Sequence, residues 1–358
     1  MDCASLRSPP RAFNSIPGAR DMRNRPSPMR RSLRRMAALL LGIFGTLAAL
    51  SSLTACMGTI HRPEVERATA ARLADTGGSL PEAHPPQGLG FTVLQTARSN
   101  GAQEAMIVSS GNWFKHRRPA QAAVLVRHPR GLFLFDTGLG RHVDEQFAVN
   151  TWLDRQFFGY GEVNPAADQL SKAGWQPERI QMIVPSHMHW DHVSGLADFP
   201  QATVWVTREE REHAEHGHAP GFLHSQFDGV QHWHELQFTQ GPYMGFARSL
   251  DMFGDGAVVF VPLSGHTAGQ VGMFLTLPSG KRYFFTGDVT WTIEGLRDKA
   301  DRSWLLRQIL HIDQDEAANQ ACIVQIHQIM QRFPQLTVVP AHDENVLQGL
   351  PHFPSFQE

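Results

Sequence analysis

Residues 186 to 192 read S-H-M-H-W-D-H, which sets His187, His189, Asp191 and His192 directly behind the apolar run 180–184. Three imidazoles this close repel one another when protonated, and they gain little by standing in water. A bound cation is the arrangement that uses them, because neutral imidazole and carboxylate are both metal ligands. One short motif does not complete such a site, so further ligands must come from elsewhere in the chain.

Four other stretches have the same local plan. G-L-F-L-F-D-T-G carries Asp136, A-V-V-F-V-P-L-S-G-H-T carries His266, R-Y-F-F-T-G-D ends on Asp288, and L-T-V-V-P-A-H-D carries His342. Each is a short run of apolar, β-branched or aromatic residues, closed by Gly, Pro or Thr before an ionisable side chain. Five strands are therefore expected to deliver acids and imidazoles to one edge, where sheet proteins covered by helices build their sites. Between them lie helical patterns: R-E-E-R-E-H-A-E-H-G, R-S-W-L-L-R-Q-I-L and E-A-A-N-Q-A-C-I-V-Q-I-H-Q-I-M-Q-R-F. Strands that are apolar on both faces need helices on both sides, so the expected class is α/β with layered sheets.

S-H-M-H-W-D-H, S-G-H-T-A-G-Q-V-G, F-T-G-D-V-T and a late P-A-H-D, in that order, resemble the metallo-β-lactamase superfamily over nearly the whole domain. The resemblance implies an αβ/βα sandwich, two mixed β-sheets flanked by helices. It also implies a ligand set: His187, His189 and His266 for one metal, Asp191, His192 and His342 for a second, and Asp288 bridging both. The spacing suits this, since i and i+2 in an extended stretch point to the same side and the following turn swings Asp191 and His192 away. Mixed nitrogen and oxygen ligands suit two Zn²⁺ ions, with Fe or Mn possible. Two such ions lower the pKa of a shared water, which attacks a carbonyl carbon as hydroxide, with Asp191 or Asp288 available to shuttle a proton. Asp136 is expected either to support a ligand or to hold its loop.

The superfamily cleaves β-lactams, lactones, thioesters and phosphodiesters, so fold alone leaves the substrate open. β-Lactamases of this fold lack the bridging carboxylate that Asp288 provides here. The helical extension of glyoxalase II enzymes is not expected, with 16 residues following His342, and neither is the insertion of the related nucleases. The chain is most similar to N-acyl-homoserine lactonases and related lactone or ester hydrolases. One departure is Trp291, at a position where those enzymes usually carry a tyrosine. Indole donates one hydrogen bond but transfers no proton. The reading from a different class is a non-catalytic metal-binding lipoprotein, which turnover of a generic ester or lactone would exclude.

With 358 residues, 42% hydrophobic, 18% charged and a net charge of −2, the chain supports a sizeable core and shows no electrostatic footprint for nucleic acid. A small-molecule partner is the default. An Arg-, Pro- and Ser-rich start is followed by the apolar stretch 36–50 and then L-T-A-C, the order of a secretory signal whose end resembles a bacterial lipobox. Residues 1–55 are thus expected as a signal peptide starting at Met1, Met22 or Met29. Cys56 would be the lipid-anchored N-terminus, on an outer membrane facing the periplasm because Met57 is not Asp. Residues 56–87 are expected as a polar tether and 88–358 as the hydrolase domain.

Of three cysteines only Cys322 falls in that domain, on an apolar-periodic helix, where it is expected as a small core residue. The stretch 213–234 holds six histidines in no ligand pattern and is expected as an exposed insertion, with a lid or metal-gathering role as the alternative. Trp113, Phe114, Phe157, Phe158 and Trp291 could line an acyl pocket, although core positions are the plainer expectation.

Overall fold

The computed structural model describes residues 59–75 and 79–358, all within one compact unit spanning 57–358. The expected signal, residues 1–55, and Cys56 lie outside the described residues.

Thirteen strands are described: β1 Gly90–Arg98, β2 Ala102–Gln103, β3 His116–Arg117, β4 Ala120–His128, β5 Gly131–Phe135, β6 Met182–Val184, β7 Thr203–Val206, β8 Trp233–Glu235, β9 Leu250–Asp251, β10 Val258–Pro262, β11 Val271–Thr276, β12 Arg282–Phe285 and β13 Leu336–Val339. They form a six-stranded sheet in the order β1-β4-β5-β6-β7-β8, a five-stranded sheet in the order β13-β12-β11-β10-β9, and a small β2-β3 ribbon. Both large sheets are mixed: β5 to β8 run parallel beside the antiparallel β1-β4-β5, and β12-β13 is the parallel pair of the second sheet.

Period-two alternation sorts the side chains into layers. Phe133 and Phe135 of β5, Val258 and Phe260 of β10, and Tyr283 and Phe285 of β12 meet in one core between the sheets. Their neighbours face outward under helices. Leu134, with Ile183 and Val204, packs on the helix Ala166–Lys172. Val259, Val261 and Phe284 pack on Ile323, Val324, Ile326 and Ile329 of the helix Glu316–Arg332. This is the expected αβ/βα sandwich, and each fully buried Phe, Leu or Val contributes roughly 1.5–3 kcal/mol through burial.

Part of the stretch expected as a tether is structured. Pro63–Asp75 is a helix with Pro at its first position, Glu64 and Glu66 in the first turn and Arg72 in the last, all favourable to the helix dipole. It packs on the helix Glu316–Arg332 through Leu73, and Glu66 pairs with Lys299 at 2.9 Å. The aromatic residues expected in the core also need correction: Trp113, Phe114 and Phe157 are exposed.

All five strands read from the sequence as ligand carriers are present, and all end at the same edge of the sandwich. Pro185, which lacks an N–H, stops β6 immediately before the histidine cluster. The Val271 N–H donates to the Ser186 carbonyl at 2.8 Å, tying the two sheets together at that edge.

Candidate metal centre

Three sharp turns aim the ligands. Asp136 follows β5 with φ of 60°, a left-handed conformation that a non-glycine residue holds only under constraint. Its carboxylate accepts from the Ser186 N–H at 2.6 Å and lies 3.0 Å from His192 Nδ1. Gly287, φ 52°, precedes Asp288, and a Cβ there would come within 3.1 Å of Ser186. Trp190–Val193 is a single helical turn that carries Asp191 and His192 away from His187 and His189.

The seven expected residues converge as two trios around Asp288. The ligand atoms of His187, His189 and His266 lie within 4.8 Å of one another, as do those of Asp191, His192 and His342, and those of His187, His192 and Asp288. His187 Nε2 faces His189 Nδ1 at 3.1 Å, and His192 Nε2 faces His342 Nε2 at 3.2 Å. Asp288 reaches both trios, with Oδ2 3.5 Å from His266 Nε2 and Oδ1 3.4 and 3.1 Å from His192 and His342. Asp191 Oδ2 lies 3.3 Å from His342 Nε2.

Ring nitrogens aimed at each other gain nothing from one another as lone pairs, and two buried atoms in this centre, His266 Nε2 and Asp288 Oδ1, make no well-formed hydrogen bond. Buried polar atoms without partners are costly, and a cation between them would satisfy the set. Five imidazoles and two carboxylates are a donor set suited to Zn²⁺, Fe or Mn. The residues present therefore fit a pair of such ions.

The electrostatics are consistent with this. Burial holds His187 and His189 well below the usual imidazole range, with the charge favoured on His192 adding to it. Burial also lowers His266, and the Arg302 guanidinium works in the same direction against Asp313. In the second trio burial is outweighed: Asp136, Asp288 and Asp191 raise His192 well above its ordinary value, and Asp288 raises His342. Against burial, His342 and His192 hold the Asp288 carboxyl well below the carboxylate range. The first trio thus offers neutral ligands, and the second sits in a field that favours positive charge.

Most of the far ring nitrogens are held by oriented partners, which fixes tautomer and ring angle. His266 Nδ1 bonds Asp313 at 2.8 Å, His192 Nδ1 bonds Asp136, and His342 Nδ1 bonds the Ala120 carbonyl at 2.7 Å. Arg302 grips Asp313 through Nε at 2.8 and 2.9 Å, donates to the Asp288 carbonyl, and lies 5.2 Å over the Trp291 ring. Buried Glu210 accepts from the Met188 and Gly269 N–H groups and the Thr267 hydroxyl, at 2.7, 2.9 and 2.7 Å, bracing both segments that carry the first trio. Burial raises its carboxyl in spite of these donors.

Sequence reasoning missed Asp313, Arg302 and Glu210. For Glu210 a signal exists, since T-R-E-E over 207–210 has the form of a capping box. Thr207 does cap the helix, but the glutamate turns to the metal loops instead.

A cleft of about 480 Å³ opens onto the centre, lined by His189, Asp191 and Asp288 and, farther out, by Phe158, Phe222 and Leu310. The Trp291 Nε1–H donates to Asp288 Oδ2 at 2.7 Å, so its one donor is used within the site. Of the histidine-rich stretch, His213 and His218 border the cleft, whereas His216, His224, His232 and His234 are exposed. Burial pushes the Cys322 thiol up to about 12, which agrees with a packing role.

A family model described as the metallo-beta-lactamase superfamily matches residues 117–322. An N-acyl homoserine lactonase of Rhizobium radiobacter, AttM, is 31% identical over 138 residues, 37% of this chain and 50% of that protein. The match thus spans about half the length of that relative. A probable metallo-hydrolase of Mycobacterium tuberculosis is 28% identical over 256 residues, 63% of this chain and 75% of its own. Among solved structures, an N-acyl homoserine lactone hydrolase with N-hexanoyl-L-homoserine bound at its metal centre superposes with a TM-score of 0.59 at 16% identity, covering 75% of this chain and 98% of that one. At that identity the likeness is one of fold.

Proposed function

The chain belongs to the metallo-β-lactamase superfamily, and from that premise we propose that it is a dinuclear metal-dependent hydrolase of lactones or carboxylic esters, with N-acyl-homoserine lactone-like substrates favoured. The observation that carries this reading is the pair of ligand trios meeting at one carboxylate, Asp288. His187, His189 and His266 would hold one ion, Asp191, His192 and His342 the other, and Asp288 both. Two Zn²⁺ ions, or Fe or Mn, would supply Lewis acidity and a nucleophile usable at neutral pH.

The chain's own residues do the rest. Asp191 is the carboxylate of the set with the most exposure, and it lines the cleft, so it can take a proton and return it to a leaving alkoxide. Arg302 and Asp313 keep His266 aligned, and Trp291 keeps Asp288 aligned. With its N–H spent on Asp288, Trp291 offers the substrate a ring face rather than a donor. Phe158, Phe222 and Leu310 give the cleft an apolar wall that excludes water and suits an acyl chain. Export and a lipid anchor on Cys56, facing the periplasm, are proposed from the sequence alone.

The test is a pH-indicator assay of the metal-loaded protein against acyl-homoserine lactones, simple lactones, aryl esters and a chromogenic cephalosporin. Acid release from lactones that drops at least about a hundredfold in Asp288→Ala supports the reading. Hydrolysis of the cephalosporin alone overturns the lactone assignment. No turnover by a metal-loaded protein points to a binding role.

A further inference from the structure

Among the described residues, every large apolar side chain that stands exposed lies on one of three segments: 113–114, 149–157 and 304–309. Singly scattered apolar residues are ordinary on a surface, but a set confined to one region marks an interaction site. The three segments border the mouth of the metal centre. Asp154 and Phe158 line the main cleft on one side, and Ile309 and Leu310 line it on the other. An adjoining smaller cleft joins Phe157 to Ile107, at the end of the helix Glu104–Ile107 that precedes Trp113 and Phe114. Ser303 donates to the Ile107 and Met106 carbonyls, which packs the 304–309 segment against that same helix.

The collar is rich in tryptophan. Trp152 is 68% exposed, Trp304 57%, Trp113 49% and Phe114 98%. At ~150–250 Å² per aromatic side chain, these four expose roughly 400–700 Å² in all, comparable to the largest apolar patch a monomer usually shows, which is often functional. Indole, with an apolar body and one polar N–H, is the side chain most suited to the boundary between acyl chains and headgroups.

We propose that this collar docks on a lipid surface, so that the metal centre opens onto the bilayer interface. Two observations favour lipid over a second copy of the chain. Segments 149–157 and 304–309 both reach the lining of the cleft, so a folded protein seated on them would obstruct it, whereas a fluid acyl layer covers them and still delivers an amphiphilic substrate. The described chain also begins at this face: the Ile60 N–H donates to the Lys299 carbonyl, and the Ser109 N–H donates to that of Asp301, a few residues before Trp304. Cys56 precedes Ile60 by four residues, a reach of at most ~14 Å. A lipid on it, as proposed above, would hold the same face toward the membrane.

The experiment uses the full chain and vesicles of phosphatidylethanolamine with a minor share of phosphatidylglycerol, their acyl chains brominated to quench tryptophan. All eight tryptophans lie beyond residue 112, so residues 1–58 contribute no signal of their own. Emission should fall in brominated vesicles. The fall should shrink by about fivefold or more in the double variant Phe114→Asp and Leu153→Asp, which keeps every tryptophan and places charge at the rim. An unchanged thermal midpoint and near-ultraviolet circular dichroism show that the variant is folded. Absence of quenching in the parent, or equal quenching in the variant, overturns the proposal. So does a dimer in sedimentation that the two charges dissociate, because a second copy would then occupy the collar. Quenching with no turnover of any substrate leaves the docking in place and removes the hydrolase reading, so the two fail separately.

Discussion

Two buried clusters of ionisable side chains sit at the same end of the sandwich and share the segment 342–344, yet they are built on opposite plans. Around Arg117 every carboxylate has a cationic donor. The guanidinium donates to Glu344 at 2.8 Å, Glu104 at 2.9 Å, Glu294 at 2.8 Å and Asp343 at 3.0 Å, and Lys115 closes the outer side. One residue away from Asp343, His342 belongs to a cluster in which ring nitrogens face each other and buried atoms lack partners. Ionic groups that complete one another hold backbone segments in place. Groups left incomplete at the same depth are placed there to take something else.

The largest effect that separates the two plans is expected on ligand removal. His187→Ala should lower activity at least about a hundredfold, and added Zn²⁺ should raise the thermal midpoint less than in the parent, since one of the two ligand trios is broken and a ligand stabilises only the state that binds it. A metal-dependent rise equal to the parent's would show that the histidine cage is not the metal site.

Arg117→Met should do the reverse. Removing one partner of a buried ionic cluster leaves the others unpaired, at a cost of about 3–5 kcal/mol. That loss should appear in denaturant unfolding with and without a chelator. If it appears only in metal-loaded protein, the network acts through His342 and the contrast between the clusters collapses.

The contrast also explains what the sequence could and could not tell. The seven candidate ligands were legible because each follows an apolar run and a Gly, Pro or Thr stop, a local pattern set by how strands end. Arg117 was not. Its partner Asp343 is 226 positions away, and nothing near either residue announces the other. Asp313 and Arg302 are hidden for the same reason, since their work is done on His266, 47 and 36 positions distant. Strands β1 and β4 form the longest pairing in the molecule but carry no ligand, so motif reading passed over them. The helix Pro63–Asp75 had dipole signals in its sequence, but its polar composition and Pro-rich flank resembled a linker. Trp113, Phe114 and Phe157 were read as core because hydrophobicity records a preference for burial and says nothing of whether a partner is present.

A smaller effect tests the border between the clusters. Trp291→Phe keeps a ring under the Arg302 guanidinium but deletes the donor to Asp288 Oδ2. Loss of such an outer partner should weaken Zn²⁺ binding by about 10–100-fold in chelator competition, with folding stability of the metal-stripped protein within about 0.5 kcal/mol of the parent. Unaltered metal affinity would mean that the indole orients nothing.

The smallest effect is a pH dependence confined to the Arg117 cluster. Burial works to raise Glu294, but the hydrogen bond and charge of Arg117 hold its carboxyl at about 2, against an ordinary 4.5. A carboxyl whose value is depressed by folding contributes stability above its unfolded value and loses it as pH falls through the folded one. The contribution should therefore be complete above about pH 4.5 and fade toward pH 2. Screening at this half-buried position leaves it on the order of 1–2 kcal/mol. Protonated glutamate and glutamine have nearly the same shape and neither is charged, so parent and Glu294→Gln should differ near neutral pH and converge at the acid end. A gap in unfolding free energy that stays constant from about pH 6 to about pH 2.5 would mean that Glu294 acts through packing. The Arg117 cluster would then be held together by shape rather than by charge.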